Sequence, residues 1–405
     1  MLGCWMWVQN VCQYGAEEVA ERCRRAGMTD LFFLTKGLAG TTAHHGAYAP
    51  HACGRDLLRE LTDAAHRRGM WVHAWFTSAC DETYKALKPE SGRCHLTRGK
   101  DRELISLADE GYLAYMEKII REVCSQYEVD GLHLDYIRYN HLLYGWAEED
   151  RQRYAANGAD VAHLLGLMER MFYGENREEN LLFEAYRAGD ESVHALARTR
   201  RSDVVHFART LTQAAQAENS RLILSAALMP EGAYDDLAFS DLHYGQNYED
   251  MAGLFDLALP MAYSKAYGKD AQWVREVAQG TMRRGLQTLV GLHAYEGGTG
   301  PSLRADLEAL QDSGAAGACL FREGAFAMGF VQSDGLTIVN ALDEPITRID
   351  AGEVQQSVLI RPGEAYDLRT ESRDIRIFAG EKEKCIYLSV ADETEKAGIM
   401  VPALL

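Results

Sequence analysis

The 405-residue chain reads as an α/β protein: a (β/α)8 TIM barrel with a helical insertion after its fourth strand and a small C-terminal β-sandwich domain. Three observations carry that reading. Short apolar runs alternate with longer, charged segments of helical period, as expected of βα repeats around a parallel sheet. The connection from Tyr139 to Ser202 far exceeds the roughly 2–6 residues usual for a βα loop. From about Val331 onward the texture changes to short alternating runs punctuated by Pro345, Pro362-Gly363 and Gly380, the mark of antiparallel strands and turns.

Taken in order, the strands are expected at residues 3–9, 31–36, 71–77, 131–138, 222–228, 257–263, 288–293 and 317–321. In the third, His73 and Trp75 alternate with Val72, Ala74 and Phe76, so both point to one face, the lumen. The fourth is entered through Asp130-Gly131, a turn pair. Helices are expected over 17–26, 55–68, 109–127, 202–217, 271–284 and 303–313, where apolar positions recur near every 3.6 residues. Gly27, Gly69, Gly285 and Gly314 stand where helices end on a left-handed residue. The barrel then occupies residues 1–330, with the insertion at 140–201, and the sandwich follows at 331–405. Within the insertion, Val161-Ala162, Leu164-Leu165, Leu167-Met168 and Met171-Phe172 form an apolar stripe, which suits a lid or wall over the barrel mouth as well as a dimer contact in a homo-oligomer or packing decoration. The C-terminal segment has Tyr366, Phe378 and Tyr387 but no Trp, which favours a structural cap over a sugar-binding module.

Composition narrows the function. Lys and Arg total 42 against 60 Asp and Glu, a net charge of −18, which repels nucleic acid and anionic membrane surfaces. No run reaches the roughly 18–20 apolar residues of a membrane span, so no membrane insertion is expected. The nine cysteines are scattered without a Cys-x-x-Cys pair, which fits a reducing compartment and argues against a zinc ribbon. A cytoplasmic location follows for the chain as it stands, or export if a signal peptide has been removed. His44-His45 with His51 and Asp56 lack ligand spacing and read as polar surface. The Gly-rich stretch from Glu296 to Gly300 is no nucleotide fingerprint, and no Gly-x-Ser-x-Gly elbow is present. No metal or cofactor is expected.

The stretch with most chemical content is Val129-Asp130-Gly131-Leu132-His133-Leu134-Asp135-Tyr136-Ile137-Arg138-Tyr139. Its apolar alternation stops at Asp135, placing a carboxylate at the C-terminal end of a barrel strand, where such barrels keep their active sites. This stretch resembles the Asp-Gly-Ile-His-Leu-Asp strand of the family 10-like glycosyl hydrolases, bacterial TIM-barrel proteins acting on glycans. Val72 to Phe76, Arg200-Arg201 before Val204-Val205, and Phe255 to Tyr263 are similar to that family's segments, in the same order. The resemblance spans about residues 4–330. Two departures stand out: Tyr136 follows Asp135 where much of the family has a second Asp, and Asn247 in Gln246-Asn247-Tyr248 replaces a loop Asp.

The resemblance implies a glycoside hydrolase acting on a poly- or oligosaccharide, with bacterial cell-wall or amino-sugar glycans as the class to try first. Such hydrolysis needs two carboxyl groups, one protonated and one ionised. Asp135 is assigned as nucleophile or base. Glu231 and Glu296, each just beyond a strand end, are the candidates for the acid, and Glu231 ranks first because its strand neighbours that of Asp135. Lys36, His73, Trp75, Arg138, Tyr263, His293 and Glu323 are expected to bind substrate, since rings stack on pyranose faces while cations and imidazoles bond hydroxyls. His133 shares the parity of Asp135 and either positions it from below or fills the core. For Trp5 and Trp7, packing under the barrel is the commoner fate. The rival reading is a catalytically silent glycan-binding barrel, supported by Tyr136 and Asn247.

Overall fold

The structure is a computed structural model that describes residues 1–175, 177–294, 300–332, 335–372 and 374–390. Eight parallel strands form the first sheet: β1 (Leu2–Met6), β2 (Asp30–Lys36), β3 (Trp71–Thr77), β4 (Gly131–Asp135), β5 (Ile223–Leu228), β6 (Leu257–Pro260), β7 (Leu289–His293) and β8 (Gly317–Phe321). Their order is β6-β5-β4-β3-β2-β1-β8-β7. The remaining seam, β6 to β7, is joined by isolated parallel bridges at Ala258–Thr288 and Met261–Gly291, so the barrel is nearly closed. Two strands stop sooner than the sequence pattern suggests. Residues Val8–Tyr14 turn into a helix directly after β1. β4 ends at Asp135 because Tyr136 takes a left-handed φ of 56°, which breaks the extended run.

Helix starts follow a simple rule. Asp56, Asp81, Asp109, Asp160, Asp190 and Asp270 each accept a backbone N–H in the first turn of the helix they precede, satisfying donors that the helix itself cannot. Part of the acidic excess is thus spent on capping.

The lumen is filled with rings. Trp5, Phe32, Trp75, Ala227, Leu257, Leu259, Leu289 and Cys319 form an inner cluster, and His73 stacks on Phe32 with centroids 4.4 Å apart. Rings this large fit because glycines face them. A Cβ on Gly291 would lie 2.8 Å from the Trp5 indole, and one on Gly131 would press on His73 Nδ1 and lie 2.7 Å from the Ile223 carbonyl oxygen. The main core lies outside the strands, where Leu31, Val72, Leu132 and Leu224 meet the surrounding helices.

Between β4 and β5 the chain forms the helices Glu148–Ala156, Val161–Phe172, Leu181–Arg187 and Glu191–Glu218. The last has 28 residues and starts well before the expected residue 202. Its first half packs with Trp146, Tyr154, Leu164 and Met168 in a separate core, and its second half, through Val204, Phe207 and Leu211, joins the main core. A hairpin of Gly92–His95 and Gly99–Ile105 stands beside this insertion.

The C-terminal region contains β9 (Phe326–Gln332), β10 (Gly335–Val339), β11 (Ile346–Ala351), β12 (Val354–Ile360), β13 (Ala365–Leu368), β14 (Ile375–Ala379) and β15 (Lys382–Val390). Hydrogen bonding links them as one seven-stranded sheet, β12-β11-β14-β15-β9-β10-β13. β15 pairs with β14 over its first residues and with β9 over the rest, so it belongs to both halves, and Ile338, Ile349, Ile377 and Ile386 share one core. Phe326, Met328 and Cys385 also join the main core, which fixes this region to the barrel. No helix among the described residues is long and apolar enough to cross a membrane.

The lumen packing makes a test of opposite signs. Gly131→Ala, which forces a Cβ into His73 and the Ile223 carbonyl, should cost about 1–3 kcal/mol. Gly166→Ala lies within a helix and meets open space, so it should gain up to about 1 kcal/mol. Urea unfolding of the two variants beside the native protein measures both.

Candidate active site

A cavity of about 730 Å³ opens at the C-terminal end of the barrel strands. It is lined by inward positions of successive strands, including Trp5, Leu34, Trp75, Asp135, Ala227 and Phe321, with Trp7, Tyr136, Met261 and Tyr263 just beyond strand ends. Most of this wall is aromatic or aliphatic. Asp135 and Arg138 are the charged residues among the described lining.

Asp135 is held on three sides. Its Oδ1 accepts the Tyr136 backbone N–H at 2.6 Å and the Arg138 Nη1 at 3.2 Å, and its Oδ2 accepts the Trp75 indole N–H at 3.3 Å. The left-handed turn at Tyr136 brings its own N–H onto the preceding carboxylate and its ring under the Arg138 guanidinium, 4.4 Å away. Burial pushes the Tyr136 hydroxyl up to about 12, so this ring is uncharged at neutral pH. Three donors fix the orientation of this one carboxylate at the cavity.

Glu231 sits on the short turn Pro230–Ala233 directly after β5. It is buried, and its Oε2 has no hydrogen-bond partner among the described residues. Burial raises its pKa above the usual glutamate value; its own backbone N–H, a hydrogen bond from Tyr267 and the charge of Arg138 pull the other way without cancelling the rise. Arg138 therefore pairs with Asp135 and also acts on Glu231. A carboxyl group whose burial favours the protonated form is what an acid in glycoside cleavage requires. Glu231 itself is not among the lining residues of the cavity.

The other expected site residues divide sharply. Trp75, Arg138 and Tyr263 line the cavity, and the ring of His293 lies 5.5 Å from that of Tyr263. Lys36 does not reach it. A register shift in β2 between Leu34 and Lys36 turns the ammonium away, to the Cys80 carbonyl at 2.7 Å and the Asp81 carboxylate at 3.1 Å. His73 points into the lumen but one layer too deep, where its Nε2 lies 3.0 Å from Asp30 Oδ1. Glu323 is buried in an ion pair with Arg22 and a hydrogen bond from Asn10, and it holds the start of the chain to the end of the barrel. Glu296 lies outside the described residues.

His133 does not touch Asp135. Its Nε2 accepts the Trp5 indole N–H at 3.0 Å, so in the neutral ring the proton sits on Nδ1, facing Ser225 Oγ at 2.9 Å. Burial, then the neighbouring His73, drives its pKa well down, which keeps the ring neutral. Asn247 caps the turn Tyr248–Met251 through Glu249 N and donates to Asp241. Trp5 and Trp7 line the cavity, contrary to the expectation of packing beneath it, and Arg322 lies 4.4 Å over the Trp7 ring. Sequence reasoning noted Tyr136 only as a departure from the family and passed over Leu34 and Met261, which inward parity extended to the strand ends would have found. Among the described residues, no group of three or more His, Cys, Asp or Glu is arranged to hold a metal ion.

A ring-lined cavity with a fixed carboxylate at the mouth of a parallel barrel defines the class: a glycoside-hydrolase-like TIM barrel. The chain belongs to the glycosyl hydrolase-like 10 family, whose model matches residues 45–278. No curated protein matches the sequence. Among solved structures, it is similar to the PgaB (BpsB) glycoside hydrolase domain from Bordetella bronchiseptica, with 13% identity and a TM-score of 0.61 over 80% of this chain and 93% of that one. The catalytic domain of β-amylase from Paenibacillus polymyxa follows at 8% identity and TM-score 0.57, covering 79% and 92%. A β-galactosidase from Marinomonas ef1 gives 13% identity and TM-score 0.56, covering 79% of this chain and 54% of that one. At these identities the likeness is one of fold.

The burial of Glu231 has a stability signature. A carboxyl whose folded pKa is raised holds its proton longer in the native state, so its contribution to stability falls as pH rises from the unfolded value through the folded one. Glu231→Gln, which keeps the shape without the charge, should therefore raise the melting temperature at pH 7, and the gain should shrink to nothing below about pH 4. Thermal unfolding across pH checks both halves.

Proposed function

We propose that the protein is a glycoside hydrolase that cleaves a poly- or oligosaccharide with Asp135 as nucleophile or base and Glu231 as acid. The observation that carries this reading is Asp135 itself, held by three donors at the floor of a ring-lined cavity. Trp7, Tyr136 and Tyr263 offer faces for the apolar sides of pyranose rings, and a cavity of about 730 Å³ suits one or two sugar units at the cleavage point. Glu231 is the fitting acid because burial favours its protonated form. Protonation of the leaving oxygen by Glu231 would accompany attack at the anomeric carbon by Asp135, or by a water that Asp135 deprotonates. Arg138 would hold the attacking carboxylate in place throughout. The C-terminal sheet acts as a cap that packs on the barrel core, with Phe326 and Met328 as its anchors.

One observation favours a second reading, a glycan-binding barrel without turnover: Asp135 is the single carboxylate among the described cavity-lining residues. Reducing-end release from a panel of neutral, amino-sugar and cell-wall glycans separates the two. Hydrolysis by the native protein that falls at least about 10³-fold in Asp135→Asn, with circular dichroism unchanged, supports the enzyme. Release equal in both proteins removes Asp135 from the mechanism. Saturable binding with no release by either protein supports the silent barrel.

The acid can be tested separately. Glu231→Gln should lose most activity on natural glycosides yet retain much more on aryl glycosides, whose leaving groups depart without a proton. Equal loss on both substrate types would assign Glu231 to another role.

A further inference from the structure

Nine cysteines occur in the chain, and two of them meet at the surface. Cys12, on the helix Val8–Tyr14, and Cys53, in the connection that follows β2, bring their sulfurs to 2.9 Å. Cys12 is exposed and Cys53 partly so, whereas Cys4, Cys23, Cys80, Cys124, Cys319 and Cys385 are buried. The place matters as much as the distance. Cys12 lines the cavity together with Val8 and Gln9 from its own helix, and Leu38, Thr41 and Ala52 from the connection that carries Cys53 line the same cavity. The pair therefore bridges two walls of one opening. We propose that Cys12 and Cys53 form a reversible disulfide at the rim of the cavity, made by exchange with a low-molecular-weight disulfide.

The chemistry of the pair is asymmetric in the way exchange requires. Cys53 is the thiol more easily ionised: the contact with Cys12, the backbone N–H groups of Arg55 and Gly54 and the Arg55 charge favour its thiolate. Cys12 is shifted the other way, chiefly by the same contact. The Cys53 thiolate attacks one sulfur of the small disulfide, breaking its S–S bond and releasing one small thiolate, which takes up a proton. Cys12, having lost its proton to solvent, then attacks the Cys53 sulfur of the mixed disulfide and releases the second small thiol. Two protein thiols are oxidised and one small disulfide is reduced to two thiols, so electrons and protons balance. The product ties the helix after β1 to the connection after β2, fixing the separation of two walls of the cavity.

The test does not require that the protein hydrolyse glycans. The full chain is equilibrated with glutathione disulfide, quenched with iodoacetamide, digested without reductant and read by mass spectrometry. The expected result is a single cross-linked peptide pair joining Cys12 to Cys53, loss of alkylation at both residues together, and full reversal by dithiothreitol. Amide exchange in residues 37–55 should slow in the oxidised protein and recover on reduction. Cys12→Ser should lose the cross-link and accumulate glutathione on Cys53, and Cys53→Ser should lose the cross-link while keeping the fold by circular dichroism. Alkylation of both residues persisting at equilibrium, or separate glutathione adducts on each in the native protein, overturns the proposal.

Discussion

The segment that follows Asp135 is held by two buried guanidinium groups, and much of the mouth depends on them. Arg93, from the hairpin, donates to the carbonyls of Arg138 and Ile105 and to the Asn140 side chain, each at 2.8 Å. Arg200, from the long helix, donates to the carbonyls of Leu242 at 2.9 Å and Leu142 at 3.1 Å, and to that of Tyr144. The Tyr139 ring lies against both cations, at 5.2 and 4.4 Å. A buried cation is costly unless its donors are met. Here most of them are met by backbone carbonyls that come together only when the segment, the hairpin and the insertion are all in place. The constraint therefore selects one path for the chain immediately after the carboxylate, and Arg138 inherits its position from it.

Beneath that clamp the barrel separates polar functions by depth. Asp30 pairs with His73, and Ser225 and Trp5 with His133, within the lumen. Asp135 and Trp75 begin the layer that faces the cavity. Asp30, Ser225 and His133 could not serve a substrate without breaking these buried hydrogen bonds. This explains why a chain with so many polar residues at inward positions presents a mostly apolar wall to a ligand.

Much of the barrel was legible in the sequence because a parallel strand buried on both faces announces itself as a short apolar run, and Asp135 interrupts one. Trp75, Arg138 and Tyr263 followed from the same logic and do line the cavity. What the sequence withheld were direction and depth. Lys36 ends a strand but follows an irregularity in register that points it elsewhere; His73 has the right parity at the wrong level; Glu323 lies past a strand end yet is claimed by Arg22, distant in sequence. Each depends on a partner that no local pattern encodes. Trp7 was misjudged because its strand stops at Met6, which lifts the indole to the rim. The C-terminal strands were visible as alternating runs, but not that β15 would be shared by both halves of one sheet.

The helix Glu191–Glu218 is rooted at one end in the core of the insertion and at the other in the core of the barrel. At about 1.5 Å per residue it is a continuous rod of about 42 Å. A part that closed over the mouth like a jaw would need a hinge between those two roots, and an unbroken helix provides none. Mechanically, the insertion is built as a buttress on this side of the barrel, not as a hinged jaw.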